Sequence, residues 1–155
     1  MSGQSEYKVE KDHFNVKVFF LDGTIKDGNI FLSHQAAHHE GHELVIDVLN
    51  QREQFIPISF SEGSTRLINK SNLLMISFPS VKQEPDYSVL AGSSVEVAIH
   101  LNNHTQLEGN FIFDLPSHAR RVKDFLNQSE SYLELRKDGE TYLINKNHVL
   151  FIEEK

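Results

Sequence analysis

The chain of 155 residues contains no cysteine. This absence excludes disulfides, thiolate zinc sites, iron–sulfur clusters and cysteine nucleophiles together. The chain also lacks any uninterrupted apolar run of about 18 residues, the length that a membrane-spanning helix needs, and residues 1–13 lack the apolar core of a signal peptide. We therefore expect a cytoplasmic protein without a membrane partner.

Positive charge is scarce, with 15 Lys and Arg against 22 Asp and Glu and a net charge of −7. Nucleic-acid binders concentrate positive charge, because phosphate neutralisation supplies much of their affinity. The balance disfavours RNA as a partner, and no DNA binding is expected. The one local cluster of positive charge contains Arg120 and Arg121. It is a candidate phosphate or acidic-partner contact, and a solvent-exposed polar face is the alternative interpretation.

Catalytic motifs are absent as well. The sequence contains no G-x-S-x-G, no P-loop and no H-E-x-x-H. No nucleophile can be paired with a base from spacing alone. We therefore assign no catalytic residue and no cofactor, and we expect a protein that is not an enzyme.

What the chain does contain is a repeat. TRLINKSNLLMI at 65–76 returns as TYLINKNHVLFI at 141–152, and DVLNQREQFIPI at 47–58 returns as DFLNQSESYLEL at 124–135. Two blocks that recur in the same order with almost the same offset indicate a duplicated unit. Units this small bury little surface alone, so we expect the two to pack together or the chain to oligomerise. The predicted domains are a flexible tail at 1–13, repeats at 14–79 and 94–155, and a linker at 80–93.

Each repeat begins with a strand of alternating apolar residues, at 14–21 and 94–101. A tight turn follows, predicted at Asp22-Gly23 in one copy and at Asn102-Asn103 in the other. The second strand contains Gly28 or Gly109, which indicates a bend.

Next comes a short helix, with a predicted apolar stripe at Val45, Val48 and Leu49 in one copy and at Val122, Phe125 and Leu126 in the other. Three more strands follow, and the first contains Pro57 and is predicted at an edge. The fold class predicted is mainly β, with two five-stranded small barrels and one short helix in each.

Two segments carry a family resemblance. VKVFFLDGTIKDGNIF at 16–31 resembles the first Sm motif, and RLINKSNLLMISF at 66–78 resembles the second. Each repeat therefore resembles an Sm-like (SH3-like) barrel, and it is also similar to a bacterial Sm-like family of unknown function. The resemblance implies rings of six or seven barrels joined by edge strands, so three chains would close a six-barrel ring. It also implies single-stranded RNA binding at the inner rim.

The resemblance also implies candidate site residues. The basic residue of the second motif falls at Lys70 and Lys146, with Asn69 and Asn145 beside them. These four are the candidate RNA or phosphate contacts, and the alternative is that Asn-Lys only makes the turn between two strands. The Asp-x-x-x-Asn of the first Sm motif is absent, and longer segments stand in its place.

A histidine-rich segment is the remaining chemical feature. His34, His38 and His42 are spaced by four, which would align them on one helical face as weak candidates for metal binding. A solvated loop is the alternative. We expect a non-enzymatic binding or assembly module whose partner is another protein or itself. Single-stranded RNA binding and metal binding by the 34–42 segment are the other hypotheses.

Overall fold

A computed structural model describes residues 11–37, 39–83, 94–112, 122–128 and 130–155. The strands are β1 (Lys11–Phe20), β2 (Ile25–Ser33), β3 (Phe55–Phe60), β4 (Thr65–Asn69), β5 (Leu73–Pro79), β6 (Ser94–Leu101), β7 (Gln106–Ile112), β8 (Tyr132–Lys137), β9 (Glu140–Asn145) and β10 (Val149–Glu154). The α-helices are α1 (Val45–Leu49) and α2 (Val122–Gln128), and 3₁₀ turns cover Lys70–Asn72, Ser80–Gln83 and Lys146–His148. β1 begins three residues ahead of the predicted repeat boundary.

All ten strands form one antiparallel sheet in the order β10-β6-β7-β8-β9-β5-β1-β2-β3-β4. The mainly-β prediction is confirmed. The sheet consists of two runs of five strands, one built from β1–β5 and one from β6–β10. In each run the last strand of the half lies beside its first strand, and the other strands follow in chain order: β5-β1-β2-β3-β4 and β10-β6-β7-β8-β9. The runs meet where β5 pairs with β9. Within the described residues the sheet is open, with β4 and β10 at its ends, so the expected closure into two barrels is not seen.

The first hairpins of the two halves have the same geometry. The side chains of Asp22 and Asn103 each accept a hydrogen bond from the amide two residues later, at 2.9 and 3.1 Å. The residue after each has a positive φ, 94° at Gly23 and 68° at His104. The sequence predicts the second turn at Asn102-Asn103, and the structure moves it one residue onward. A histidine therefore occupies the left-handed position that glycine fills in the first copy.

The glycines inside β2 and β7 permit a close approach of the neighbouring strand. A Cβ added to Gly28 would lie 2.8 Å from Cγ2 of Ile58, and one added to Gly109 would lie 2.7 Å from the carbonyl oxygen of Arg136. Such distances are shorter than van der Waals contact, so any side chain would push the strands apart. The glycines are thus backbone features of the sheet.

The apolar stripe predicted for α1 is confirmed, since Val45, Val48 and Leu49 are all buried. In α2 only Val122 is fully buried. The edge prediction for Pro57 is wrong, because β3 lies between β2 and β4. Pairing with β2 covers only residues 58–60 of β3, so the missing amide proton of Pro57 falls beyond that ladder.

The two apolar cores exchange side chains. Tyr132 and Leu143 of the second half pack into the core of the first half. Leu74 and Met75 of the first half pack into the core of the second. Each half therefore completes its core with residues of the other.

Tyr132 gives a test of this packing. Among the described residues its hydroxyl is the one buried side-chain polar atom without a hydrogen-bond partner, and burial raises the pKa of the phenol. A buried unsatisfied polar group costs about 1–3 kcal/mol, and the first copy has Phe55 at the equivalent position. We expect Tyr132→Phe to preserve or raise the free energy of unfolding in urea, whereas Tyr132→Ala should lower it by about 3–5 kcal/mol. A loss above about 1 kcal/mol for the phenylalanine variant would contradict this packing.

Candidate functional site

The pairing of β5 with β9 joins the two halves, and we call it the internal joint. Its ladder runs from the Met75–Ile144 pair to the Pro79–Glu140 pair. The buried hydroxyls of Ser80 and Thr141 are 2.9 Å apart beside it. The contact is therefore a strand ladder with apolar side chains and a buried polar pair, as in the interior of a single sheet.

Two asparagines add hydrogen bonds across the internal joint. Nδ2 of Asn145 donates to the carbonyl oxygens of Lys70, at 3.1 Å, and Leu73, at 2.9 Å. Oδ1 of Asn50, which follows α1, accepts from the amide of Tyr132 at 3.1 Å. These bonds satisfy backbone groups near the Met75–Ile144 end of the ladder, so they position one half relative to the other.

The strands at the two ends of the sheet are copies of the strands that form the internal joint, β4 of β9 and β10 of β5. They retain the apolar character of their counterparts, but each pairs with only one strand among the described residues: β4 with β3, and β10 with β6. Four equivalent pairs differ in exposure in this way: Leu74 (2%) and Leu150 (65%), Met75 (4%) and Phe151 (48%), Leu143 (1%) and Leu67 (70%), and Tyr132 (4%) and Phe55 (51%).

A groove lies at the β4 end of the sheet. Its volume is about 620 Å³, and its lining is mainly apolar: Phe20, Leu21, Asp22, Phe55, Leu67, Ile68, Asn69 and Asn72. The residues equivalent to Phe55 and Leu67 in the second half are Tyr132 and Leu143, which pack against the first half at the internal joint. The groove is thus the first-half surface whose equivalent in the second half is covered by the internal joint.

The four residues predicted from the second motif lie at the 3₁₀ turns. The side chains of Asn69 and Asn145 cap these turns, each accepting a 3.1 Å hydrogen bond from the amide two residues later. Nζ of Lys70 donates to the carbonyl oxygens of Leu49, at 3.0 Å, and Gln51. Partial burial lowers the pKa of Lys70. Lys146 has the same place in the second half. The turn-forming interpretation is supported for the asparagines, and the Lys70 ammonium binds the end of α1.

His34 and His42 do not lie on the predicted helical face. Residues 34–37 and 39–42 lie outside any helix, α1 begins at Val45, and Gly41 has a φ of 90°, which is not helical. Nε2 of His34 is 3.0 Å from Oδ1 of Asp12, and the His34 and His42 rings are 5.6 Å apart. His38 lies outside the described residues. In the described ranges no three His, Asp or Glu residues are grouped to hold a metal ion.

Arg120 and Arg121 also lie outside the described residues. No helix in the part of the chain that the structure describes is long and apolar enough to cross a membrane. Comparisons of the chain with protein-family models, curated proteins and solved structures give no match. The surfaces of the chain itself therefore provide the evidence for its function.

One histidine contact was not foreseen. Nε2 of His39 lies 2.6 Å from Oδ2 of Asp47, the same oxygen that accepts the Leu44 amide at the start of α1. The hydrogen bond to Asp47 raises the pKa of His39. A raised folded-state pKa means that this stabilisation is complete below the unfolded value and is lost as pH rises through the folded value.

We expect the His39 ring in an NMR titration to have a midpoint above the usual value of about 6.5. In Asp47→Asn the midpoint should return towards that value, because the carboxylate that favours the imidazolium is gone while the amide oxygen still caps α1. Equal midpoints for His39 in the two proteins would contradict this assignment.

Lys70→Met tests the structural assignment of the lysine. We expect it to lower the free energy of unfolding by about 1 kcal/mol, because two carbonyl oxygens at the end of α1 lose a charged donor that is partly exposed. Lys17→Met, on the exposed face of β1, is the matched control and should change stability by less than about 0.5 kcal/mol. Urea unfolding followed by circular dichroism measures both. Equal stability of the two variants would show that Lys70 is available for another role.

Proposed function

We propose that this chain is a non-enzymatic assembly module that associates head to tail with copies of itself. Each half acts as one Sm-like five-stranded unit, and β10 of one copy pairs with β4 of the next. One observation carries the proposal: the apolar residues that are buried at the internal joint have exposed apolar equivalents on both free edges.

The energetics favour association. Burying a large apolar side chain contributes about 1.5–3 kcal/mol. The two edge strands expose three such side chains, Leu67, Leu150 and Phe151, and Phe55 on the neighbouring strand β3 is a fourth. A free edge strand also presents unpaired backbone amide and carbonyl groups to a further strand.

Leu150 and Phe151 of one copy match the side chains that enter the neighbouring core at the joint. In the register of the internal joint, where Met75 lies opposite Ile144, Phe151 lies opposite Ile68 of the next copy. Leu150 and Phe151 are therefore proposed to cover the part of the groove that Ile68 lines.

The geometry of association follows from the difference between the two edges. A β4-type edge pairs with a β10-type edge, as β9 does with β5, so the contact is heterologous. Heterologous contacts either close into a ring or extend as a filament. With two units in each chain, three chains would form the six-unit ring that the Sm resemblance implies.

RNA binding of the Sm type remains the alternative expectation. It would require the Lys70 ammonium to leave the carbonyl oxygens of Leu49 and Gln51. The contacts of that lysine favour assembly over phosphate binding at this position. Metal binding by His34, His38 and His42 draws no support from a helical face, since the described residues 34–37 and 39–42 are not helical.

The two edges can be blocked separately. We expect wild-type protein at tens of micromolar to scatter light as an oligomer, and Leu67→Lys and Phe151→Lys each to be monomeric, because each places a charge in an interface that needs both edges. An equimolar mixture of the two should give a heterodimer and nothing larger, since one variant keeps β10 and the other keeps β4.

Ile25→Lys is the matched control for these variants. Ile25 is exposed and lies on β2, away from both ends of the sheet, so this change should leave the oligomer intact. A wild-type monomer under these conditions would refute the proposal. Dimers formed by either blocked variant alone would refute the head-to-tail geometry.

A further inference from the structure

We infer that the joint between copies is held in register by a charge pair, Glu153 on β10 of one copy opposite Arg66 on β4 of the next. This inference rests on the proposed head-to-tail association. It specifies which strand positions meet. It also makes the association between chains sensitive to salt, whereas the equivalent pair at the internal joint, Ser77 and Tyr142, is uncharged.

The register follows from the internal joint and the repeat. Both β4 and β5 recur in the second half with an offset of 76 residues, so each pair of the internal ladder has one counterpart between copies. The Ile76–Leu143 pair becomes Ile152 opposite Leu67, which is again apolar. The next pair, Ser77–Tyr142, becomes Glu153 opposite Arg66. Of the five transferred pairs, it is the only one in which both residues are charged.

The surroundings of Arg66 are suited to an added carboxylate. The guanidinium is half exposed and lies 2.8 Å from Glu62. It also lies 5.3 Å from the centre of the Phe60 ring, with Nζ of Lys26 at 5.9 Å from the same centre. Two cations and one carboxylate therefore meet at this end of β4. Arg66 can keep its contact with Glu62 while a second carboxylate approaches from the open side.

The β10 edge has the opposite charge. Glu153 is exposed and lies 2.8 Å from Nε2 of His100, and Glu154 follows it. Nζ of Lys155 lies 2.7 Å from Glu108, and the negative charges of Glu96 and Glu153 also raise the pKa of Lys155. Carboxylates therefore outnumber cations along β10. The acidic edge of one copy complements the basic end of β4 in the next, and it repels a second β10.

A charge pair here distinguishes registers that the apolar side chains alone would not. A slip by one residue turns the apolar side chains to the wrong face, but a slip by two residues preserves the face. A slip by two would place Glu153 opposite Ile68 or Ser64 and leave Arg66 without its partner. Oppositely charged residues directly across two strands attract, and like charges repel. The pair therefore favours the register copied from the internal joint.

Charge reversal tests this inference. We expect Arg66→Glu and Glu153→Arg each to weaken association about tenfold, because each replaces attraction by repulsion across the strands. The double variant Arg66→Glu/Glu153→Arg should recover association to within about threefold of wild type, since the pair is restored with its signs exchanged. Sedimentation velocity over a dilution series measures the dissociation constants, and circular dichroism checks that each variant is folded.

Salt provides a second readout. Raising NaCl from 50 to 500 mM shortens the screening length severalfold, so it should weaken association of wild type and of the double variant while strengthening that of each single reversal. The swap Lys17→Glu/Asp27→Lys is the control, because these exposed residues face each other on β1 and β2 within one chain. It should leave association unchanged.

The outcomes separate this inference from the proposed function. If wild type is monomeric at tens of micromolar, self-association fails and the charge pair with it. If wild type associates and the double variant remains as weak as the single reversals, the copies associate in another register. The charge pair is also refuted if all four proteins associate equally.

Discussion

The structure depends on the ladder between β5 and β9, because neither half has a complete core without it. Leu74 and Met75 fill the core of the second half, while Tyr132 and Leu143 fill that of the first. A five-stranded unit of this size buries a small fraction of its surface and would be only marginally stable by itself. The exchange of side chains therefore makes the two units one folding body, and it determines which faces of β4 and β10 remain at the ends of the sheet.

The repeat explains why the ends of the sheet are apolar. An open edge is a site of uncontrolled pairing, and proteins commonly place charges there. Arg66 lies on β4, whereas Glu153 and Glu154 lie on β10. Because the two edges differ in sign, these charges would discourage β10 from pairing with another β10 in the proposed assembly and would favour the combination of β10 with β4. In the proposed assembly the same residues would both protect the edges and select the partner.

The sequence predicts features that depend on local chemistry and misses those that depend on distant strands. The glycine at position 28, the stripe at Val45 and Val48, and the duplicated order of strands follow from spacing alone. The position of Pro57 inside the sheet does not, because strand neighbours are determined by tertiary pairing. The spacing of His34, His38 and His42 predicts a helical face, but periodicity cannot show that the chain turns at Gly41 instead.

In the candidate site, too, the sequence predicts local features and misses those set by strand pairing. The positions where the two copies differ indicate why. Ser77 and Tyr142 at the internal joint correspond to Glu153 and Arg66 at the ends. Within one chain the covalent connection keeps β5 near β9 at a high effective concentration, so this joint needs no charge to select its partner. A joint between chains forms from separate molecules and must select both partner and register. In the proposed assembly the charged residues Glu153 and Arg66 would meet that requirement. Ser77 and Tyr142, in the middle of the sheet, have no such requirement to meet.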